Sequence, residues 1–456
     1  MSGTRVNNYR PISVLTVLSK ILEKILNRKL VNHLDKNNII SENQFGFRSG
    51  RSTEDAVHTL TDHIVKGLDS GLKTVGIFLD LCKAFDTVSI PLLLCKMERC
   101  GIRGIALDLF TDYLQDRTQR VVIGEHISDE QPISFGVPQG SVLGPTLFLI
   151  YINELCDFNI KNSKIITYAD DTVLLVQAKS WDEVHYFAES SLHSIMIWLS
   201  KNLLTLNIEK TKYITFSIRR FSQPPPSFEI RAHVCDIKNT SSPCSCNNII
   251  RTDHIRYLGI IIDSLLGWNQ HCNQLISRVR KLIVVFKRLR IAANSDTLKL
   301  VYHALAQSII SYCIVAWGGC CKTRLIRVER AQRCILKVMA FKPTLFSTSE
   351  IYSYWRVLSV RKLFYMAVIL RKHTNTIFHP NYMTTKRRHD IVCSLVKHKT
   401  VFAGRFYYCI SPILYNRLNK ILDIYHMTLR ECKLTTVTWL LSLSYEDTES
   451  LSAVNK

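Results

Sequence analysis

Acidic residues are in short supply in this chain. Against 59 lysines and arginines stand 37 aspartates and glutamates, a formal charge of +22 with an isoelectric point near 9.4. Such an imbalance suits a polyanionic partner, because each cation that meets a phosphate releases condensed counterions. Charge alone does not separate nucleic acid from an anionic membrane. No internal repeat is present, which sets aside solenoids and propellers. No long segment has the composition of a disordered tract. The opening segment, Met1 to Arg10, is polar and carries no secretory signal, so the fifteen cysteines are expected to be reduced. Paired CxxC or HxxxH spacing is also missing. Two groups still invite a zinc reading: Cys235, Cys244, Cys246 and His254, and His271 and Cys272 with Cys320 and Cys321. Without the paired spacing they are read as small core or surface residues.

Uncharged runs of membrane length are nearly absent as well. Leu300 to Trp317 comes near, but it contains His303, Gln307, Ser308 and Ser311. A basic segment precedes it and a Gly-Cys turn follows. It is expected to be a buried helix of a soluble domain, with no membrane partner.

What is present is a chain of 456 residues, 47% hydrophobic, ample for a core divided among two to four units. A loop and then a helix are expected over Tyr9 to Lys36, on the spacing of Val17, Ile21, Ile25 and Leu26. A Gly- and Arg-rich loop over Ser41 to Thr53 leads into a helix to about Leu68, with Thr53 as its N-cap. Thr74 to Leu81 reads as a strand carrying Asp80 at its end. Pro91 to Gln115 is helical with a break near Gly101 and Gly104. Val121 to Ile127 and Gln131 to Phe135 read as paired strands, and an apolar helix runs to about Leu155. Ile165 to Tyr168 and Thr172 to Val176 are short strands joined by a turn. An amphipathic helix covers Asp182 to Lys201, an irregular break covers Phe221 to Ile250, and Tyr257 to Asp263 is a strand. Helices dominate from Trp268 onward. The fold class is therefore α+β with a helical tail, with carboxylates at strand ends.

Those carboxylates carry the chemistry. In Tyr168-Ala169-Asp170-Asp171 two adjacent acids sit on a tight turn between apolar strands, where they repel each other unless cations intervene. Alone this is no more than an Asp-rich turn. Gly76 to Asp80 places a third acid at the end of another apolar strand. If the strands are neighbours, Asp80 and Asp170 can share two Mg²⁺ ions. One ion activates a primer 3′-hydroxyl and the other stabilises departing pyrophosphate.

At this point the sequence resembles a known family. The segments FLDLCKAFDTV (78–88), FGVPQGSVLGPTLFLIYINEL (135–155) and YADD (168–171) are similar, in order and spacing, to the core of reverse transcriptases. NYRPISVLTVLSKILEKIL (8–26) and NQFGFRSGRST (43–53) resemble the fingers segments of non-LTR, LINE-type elements, especially jockey-like ones. LNIEKTKYITF (206–216) and RYLGIIID (256–263) follow in the same order. The resemblance implies a right-handed fingers–palm–thumb polymerase with a small antiparallel palm sheet and a mostly helical C-terminal region. It implies fingers over residues 1–73, a catalytic palm with fingers elements over 74–263, a thumb-like helical region over 264–341, and a helical region of unknown role over 342–456.

The roles it implies are specific. Asp80 and Asp170 are the main Mg²⁺ ligands, and Asp171 is the second, less directly bound acid. Phe85 falls where the family places its ribose gate, since a bulky ring leaves no room for a 2′-hydroxyl; a core phenylalanine is the alternative. Gly136, Pro138, Gln139 and Gly140 form the loop beside the template base and incoming nucleotide. Arg48, and with it Arg10, holds the triphosphate. Lys210 protonates leaving pyrophosphate, the alternative being a solvated lysine. Tyr257, Leu258 and Gly259 steady the primer end. The acid-free segment Ser277 to Arg290 presents Arg278, Arg280, Lys281, Lys287, Arg288 and Arg290 around Val279, Ile283 and Phe286, which suits a helix laid on template–primer phosphates. The expected partners are an RNA template, a DNA primer and dNTPs, and action in the nucleus follows from the family alone. The family's full-length protein usually carries an endonuclease ahead of the polymerase, and none is expected in this chain. A relic that binds nucleic acid without catalysis is the competing reading.

Overall fold

The computed structural model describes residues 12–158, 160–233, 235, 246–378 and 393–451. Arg10 and Cys244 lie outside the described residues. The chain forms two compact units: Met1–Ala56, Lys73–Thr215 and Pro224–Thr252 make the first, and Val57–Leu72, Phe216–Gln223 and Asp253–Lys456 the second.

Helix α1 (Val17–Lys36) starts at Thr16, whose hydroxyl accepts the Ser19 N–H at 3.2 Å. Only Glu23, Leu30 and Leu34 of it are buried, and the periodic residues Val17, Ile21 and Ile25 are exposed. Helix α2 (Thr53–Asp69) is capped by Ser52 rather than Thr53. The Ser52 hydroxyl accepts the Asp55 N–H, and the Asp55 carboxylate accepts the Ser52 N–H at 2.8 Å. This reciprocal pair needs the acid three residues after the cap, a place Asp55 holds for Ser52.

In the first unit, strand β1 (Lys73–Leu79) is followed by α3 (Ile90–Arg99) and α4 (Ile105–Leu114). Gly101 and Gly104 separate these helices with φ of +85° and +56°, the left-handed geometry that a side chain resists. The expected pair of long strands over 121–135 is instead two nested short pairs. β2 (Thr118–Gln119) pairs with β5 (Gln131–Pro132), and β3 (Val122–Ile123) with β4 (His126–Ile127). All four are exposed, so no buried face extends them.

Helix α5 (Gly144–Cys156) is apolar nearly all round and buried, as a helix at the centre of a unit must be. β6 (Ser163–Tyr168) and β7 (Asp171–Ala178) form the hairpin, and α6 (Trp181–Lys201), β8 (Lys212–Phe216) and β9 (Ile250–Arg251) follow. The sheet order is β6-β7-β1-β8-β9. β7 is antiparallel to both β6 and β1, while β8 and β9 pair in parallel. β1 is buried on both faces (Val75, Ile77 and Leu79, with Phe78 opposite). Leu147, Phe148, Ile150 and Tyr151 of α5, and Leu192 and Ile195 of α6, belong to the core around it.

In the second unit the segment expected as one strand folds back on itself. β10 (His254–Tyr257) pairs with β11 (Ile260–Asp263) around Leu258 and Gly259, both at positive φ. A two-residue turn of this kind matches strand twist, and the glycine allows it. Next come α7 (Asn269–Ala292) and α8 (Ser295–Val301). The apolar run after α8 is buried at Tyr302, Ala306, Ile310 and Trp317, as expected, but it is not one helix. A π-helical stretch over Tyr302–Gln307 leads to α9 (Ser308–Ser311), and Cys313 at φ +51° breaks the path before α10 (Ile314–Trp317). α11 (Lys322–Met339) packs along α7; α12 (Thr348–Trp355), α13 (Val360–Phe378), α14 (Tyr407–Leu422), α15 (Leu429–Ser442) and α16 (Tyr445–Ser450) complete the unit. Among the described residues no helix is long and apolar enough to cross a membrane.

Candidate active site

The strands that carry the acids are neighbours. Leu79 of β1 stands opposite Thr172 of β7, and Tyr168 opposite Asp171. Asp80, one step past Leu79, therefore leaves β1 at the end where Ala169 and Asp170 close the β6–β7 turn. Asp80 and Asp170 are partly exposed and Asp171 is exposed.

The turn is held from outside. Ala169 takes φ +55°, and its N–H donates to Gln44 Oε1 at 2.9 Å. The same oxygen accepts the Gly46 N–H at 2.8 Å. Asn43 to Phe45 lies along β6: the Thr167 N–H donates to the Asn43 carbonyl and the Phe45 N–H to the Thr167 carbonyl, each at 2.9 Å. A Cβ on Gly46 would stand 2.3 Å from the Ala169 nitrogen, so only glycine lets this segment approach. Gln44 is buried and was not anticipated; nothing in the sequence marks one glutamine as the clamp of a turn 125 residues away.

On the other side the Asp80 carbonyl accepts the Asn207 N–H at 2.8 Å, and the Asp80 N–H donates to Thr211 Oγ1 at 3.3 Å. This brings in Lys210, which is exposed and whose N–H is bound to Asn207 Oδ1. The Cys82 thiol registers both charges: burial and the Asp80 carboxylate push its pKa up, and Lys210 opposes them. Among the described residues no lysine, arginine or histidine forms an ion pair with Asp80 or Asp170. Oxygen-only ligands that are partly open fit Mg²⁺ with room for phosphates.

Phe85 lies stacked on Phe148 at 4.4 Å and edge-on to Phe47 at 6.3 Å. It is partly exposed, so the ring is packed on one side and open on another. Its carbonyl accepts the Val137 N–H at 2.9 Å, which ties it to the glycine loop. Gly136 has φ +93°, and a Cβ there would meet the Asp86 carbonyl oxygen at 2.9 Å. Gln139 Nε2 donates to Asp86 Oδ1 at 2.8 Å, and Gly140, at φ +104°, lies against Ser13. Beyond the loop the Val142 N–H donates to the buried Glu23 carboxylate at 2.6 Å, which also accepts the Tyr113 hydroxyl at 2.8 Å. Arg48 donates to the Ser41 carbonyl at 2.6 Å and lies 3.7 Å from Glu42. In this arrangement its guanidinium braces the loop that carries Gln44.

The remaining predicted residues belong to the second unit. Tyr257 is buried, Leu258 and Gly259 form the β10–β11 turn, and the Leu258 carbonyl accepts the Tyr312 hydroxyl at 2.7 Å. On α7, Arg278, Arg280, Lys281, Lys287 and Arg288 are exposed while Val279 and Phe286 face the core. Arg290 departs from that pattern: it donates to the Val338 carbonyl at 2.9 Å and sits 4.2 Å from the Phe341 ring centre. The first expected cysteine grouping is regrouped. His254 lies on β10 beside Gln270, while Cys235 and Cys246 meet His233 instead. In the second, the Cys272 and Cys320 thiols hydrogen-bond to each other and His271 Nδ1 faces the Ile261 N–H.

Comparison with known proteins places this arrangement in a class. A family described as reverse transcriptase (RNA-dependent DNA polymerase) matches residues 3–262, and the chain belongs to it. Among curated relatives, the RNA-directed DNA polymerase from mobile element jockey of Drosophila melanogaster is 28% identical, over 84% of this chain and 41% of its own length. The probable RNA-directed DNA polymerase from transposon BS of the same organism is 28% identical, over 72% of this chain and 36% of its own. The chain thus spans about two fifths of the length of such relatives. Of solved structures, telomerase from Candida albicans with a fragment of telomeric RNA aligns with a TM-score of 0.40 at 12% identity, over 75% of this chain and 57% of the other.

Proposed function

We propose that this chain is the RNA-directed DNA polymerase of a non-LTR retrotransposon, joining deoxynucleotides to a primer 3′-hydroxyl on an RNA template. The observation that carries the proposal is the β1–β7 register, which sets Asp80 at the same strand end as Asp170 and Asp171 within a reverse transcriptase family match. Asp80 and Asp170 would hold two Mg²⁺ ions, with Asp171 beside them. When bound, the ions supply activation of the 3′-hydroxyl and neutralisation of the charge that develops on pyrophosphate. Phe85 closes the space under the sugar, so a 2′-hydroxyl is rejected. Gln139 and Gly140 position the nucleotide from a loop whose own shape is set by Asp86 and Glu23. Lys210 gives a proton to the leaving pyrophosphate, and Arg48 contributes positive charge near the triphosphate. Tyr257, Leu258 and Gly259 steady the primer, and Arg278 and Lys281 bind template–primer phosphates. Residues 1–73 act as fingers, 74–263 as the palm, 264–341 as a thumb, with the polymerase working in the nucleus.

The test is Mg²⁺-dependent primer extension by the purified chain on a primed RNA template, with deoxynucleotides. Extension that vanishes in Asp80→Asn supports the proposal. Tight template binding by a wild-type chain that extends nothing would instead favour a relic that only binds nucleic acid.

A further inference from the structure

We propose that His233, Cys235 and Cys246 form a zinc site that clips together the segment between β8 and β9, a role apart from the polymerase acids. The three candidate ligand atoms all lie within 4.8 Å of one another. Cys235 Sγ is 3.5 Å from Cys246 Sγ and 3.6 Å from His233 Nδ1. In a tetrahedral site with Zn–S near 2.3 Å and Zn–N near 2.0 Å, ligand atoms stand about 3.5–3.8 Å apart. The Sγ–Sγ and Sγ–Nδ1 edges match that figure, and the third lies within 4.8 Å. A disulfide needs its sulfurs at about 2.0 Å, and this pair is 3.5 Å apart.

The histidine is presented as metal-ligating histidines are. Its Nε2 lies 3.2 Å from Glu189 Oε2, and both side chains are largely buried. A carboxylate only accepts, so Nε2 carries the proton and Nδ1 turns a lone pair toward the two sulfurs. Glu189 is itself fixed: its Oε1 accepts the Arg231 N–H at 3.0 Å and lies 3.4 Å from His185 Nε2. The His233 carbonyl lies 3.0 Å from His193 Nδ1.

The backbone explains how residues without a metal-binding spacing converge. Arg231 and Asn248 form an antiparallel bridge. The Ala232 N–H donates to the Asn247 carbonyl, and the Ile249 N–H to the Ile230 carbonyl, each at 2.9 Å. This short ladder delivers Cys246 from one side and His233 and Cys235 from the other. Two sulfurs and an imidazole select a soft divalent ion such as Zn²⁺ over Mg²⁺. Binding releases one proton from each thiol to solvent, leaving thiolates on the ion. The fourth position belongs to a ligand outside these three.

The experiment uses the full chain, purified under reducing conditions. Wild type is stripped with a chelator, and zinc is then titrated back and counted by mass spectrometry. Co²⁺ is added in parallel to read tetrahedral and thiolate-to-metal absorption. The expected result is one ion per chain with a tetrahedral spectrum, lost in the Cys235→Ser, Cys246→Ser double variant. Glu189→Gln should weaken zinc binding about 10- to 100-fold, as loss of a supporting carboxylate does. His233→Cys should keep the ion and add thiolate absorption, which locates the site even if the serine variants fail to fold. A wild-type chain that takes up no stoichiometric metal would overturn the proposal. So would metal that persists undiminished in the double variant, a Cys235–Cys246 disulfide in the reduced preparation, or a His233→Cys spectrum identical to wild type.

Discussion

Asp170 shows how a single residue depends on neighbours far away in sequence. Asp170→Asn keeps the shape of the turn and removes one negative charge. DNA synthesis should fall below detection, while template–primer binding, carried by dispersed cations, should change by less than about threefold. Parallel extension and binding assays check this; extension at the wild-type rate would remove Asp170 from the metal site. Gly46→Ala tests the support behind the acid. The added methyl group meets the backbone at Ala169 and has no rotamer to escape into. A turn displaced by about 1 Å should lower the extension rate on the order of 100-fold with little loss of binding. Unchanged kinetics would show that the turn is set without this contact. Phe85 is the more delicate case, because its stacking on Phe148 makes it both a packing residue and a candidate gate. Phe85→Ala should raise ribonucleotide incorporation at least tenfold relative to deoxynucleotides, measured side by side, since it removes a steric block. An unaltered preference in a folded variant would leave Phe85 with packing alone.

Among the elements, α7 was the most legible in sequence and the β10–β11 hairpin the least. A 24-residue helix with apolar residues at helical spacing and cations elsewhere declares its faces, and five of the six expected basic residues are exposed. Arg290 was misjudged because its partners, the Val338 carbonyl in the last turn of α11 and the Phe341 ring just past it, are far away in sequence. The double variant Arg278→Ala, Lys281→Ala should weaken template–primer binding and reduce the salt slope, d log K/d log[salt], by about two, one for each lost phosphate contact. A slope that does not move would place both side chains in solvent. The β10–β11 hairpin was missed for a simpler reason. Tyr257 to Ile262 has no charged residue to mark a turn, and the turn depends on Leu258 accepting φ +43° next to Gly259.

Across the molecule, the second unit carries a pH dependence that its sequence does not announce. His271 is buried against Trp268 and Trp317, and burial, aided by the Arg278 and Arg256 charges, pushes its pKa down to about 4. The unfolded chain binds a proton at this residue near pH 6.5. Between these values the unfolded state holds more protons, so stability is full above about pH 6.5 and falls as pH drops toward 4, by about 3 kcal/mol in all. Denaturant midpoints between pH 7 and 4 should show this loss, and His271→Gln should flatten it. An equally steep loss in that variant would assign the effect to other groups.

The sequence by itself determined β1, β6 and β7, the acids at their ends and the order of motifs, because short apolar runs and strand-end carboxylates are local patterns read over a few residues. It also determined the cationic character of α7, since the absence of acids needs no partner to be seen. Only the tertiary structure decided that β1 and β7 are neighbours, that Gln44 and Gly46 clamp the Asp170 turn, that Glu23 anchors the chain after the glycine loop, and that His233 replaces His254 beside Cys235 and Cys246. Each of these depends on hydrogen bonds or close approaches between segments that are not adjacent in the chain. Such contacts form where buried polar groups must find partners, and one chain offers many candidates that local pattern cannot rank.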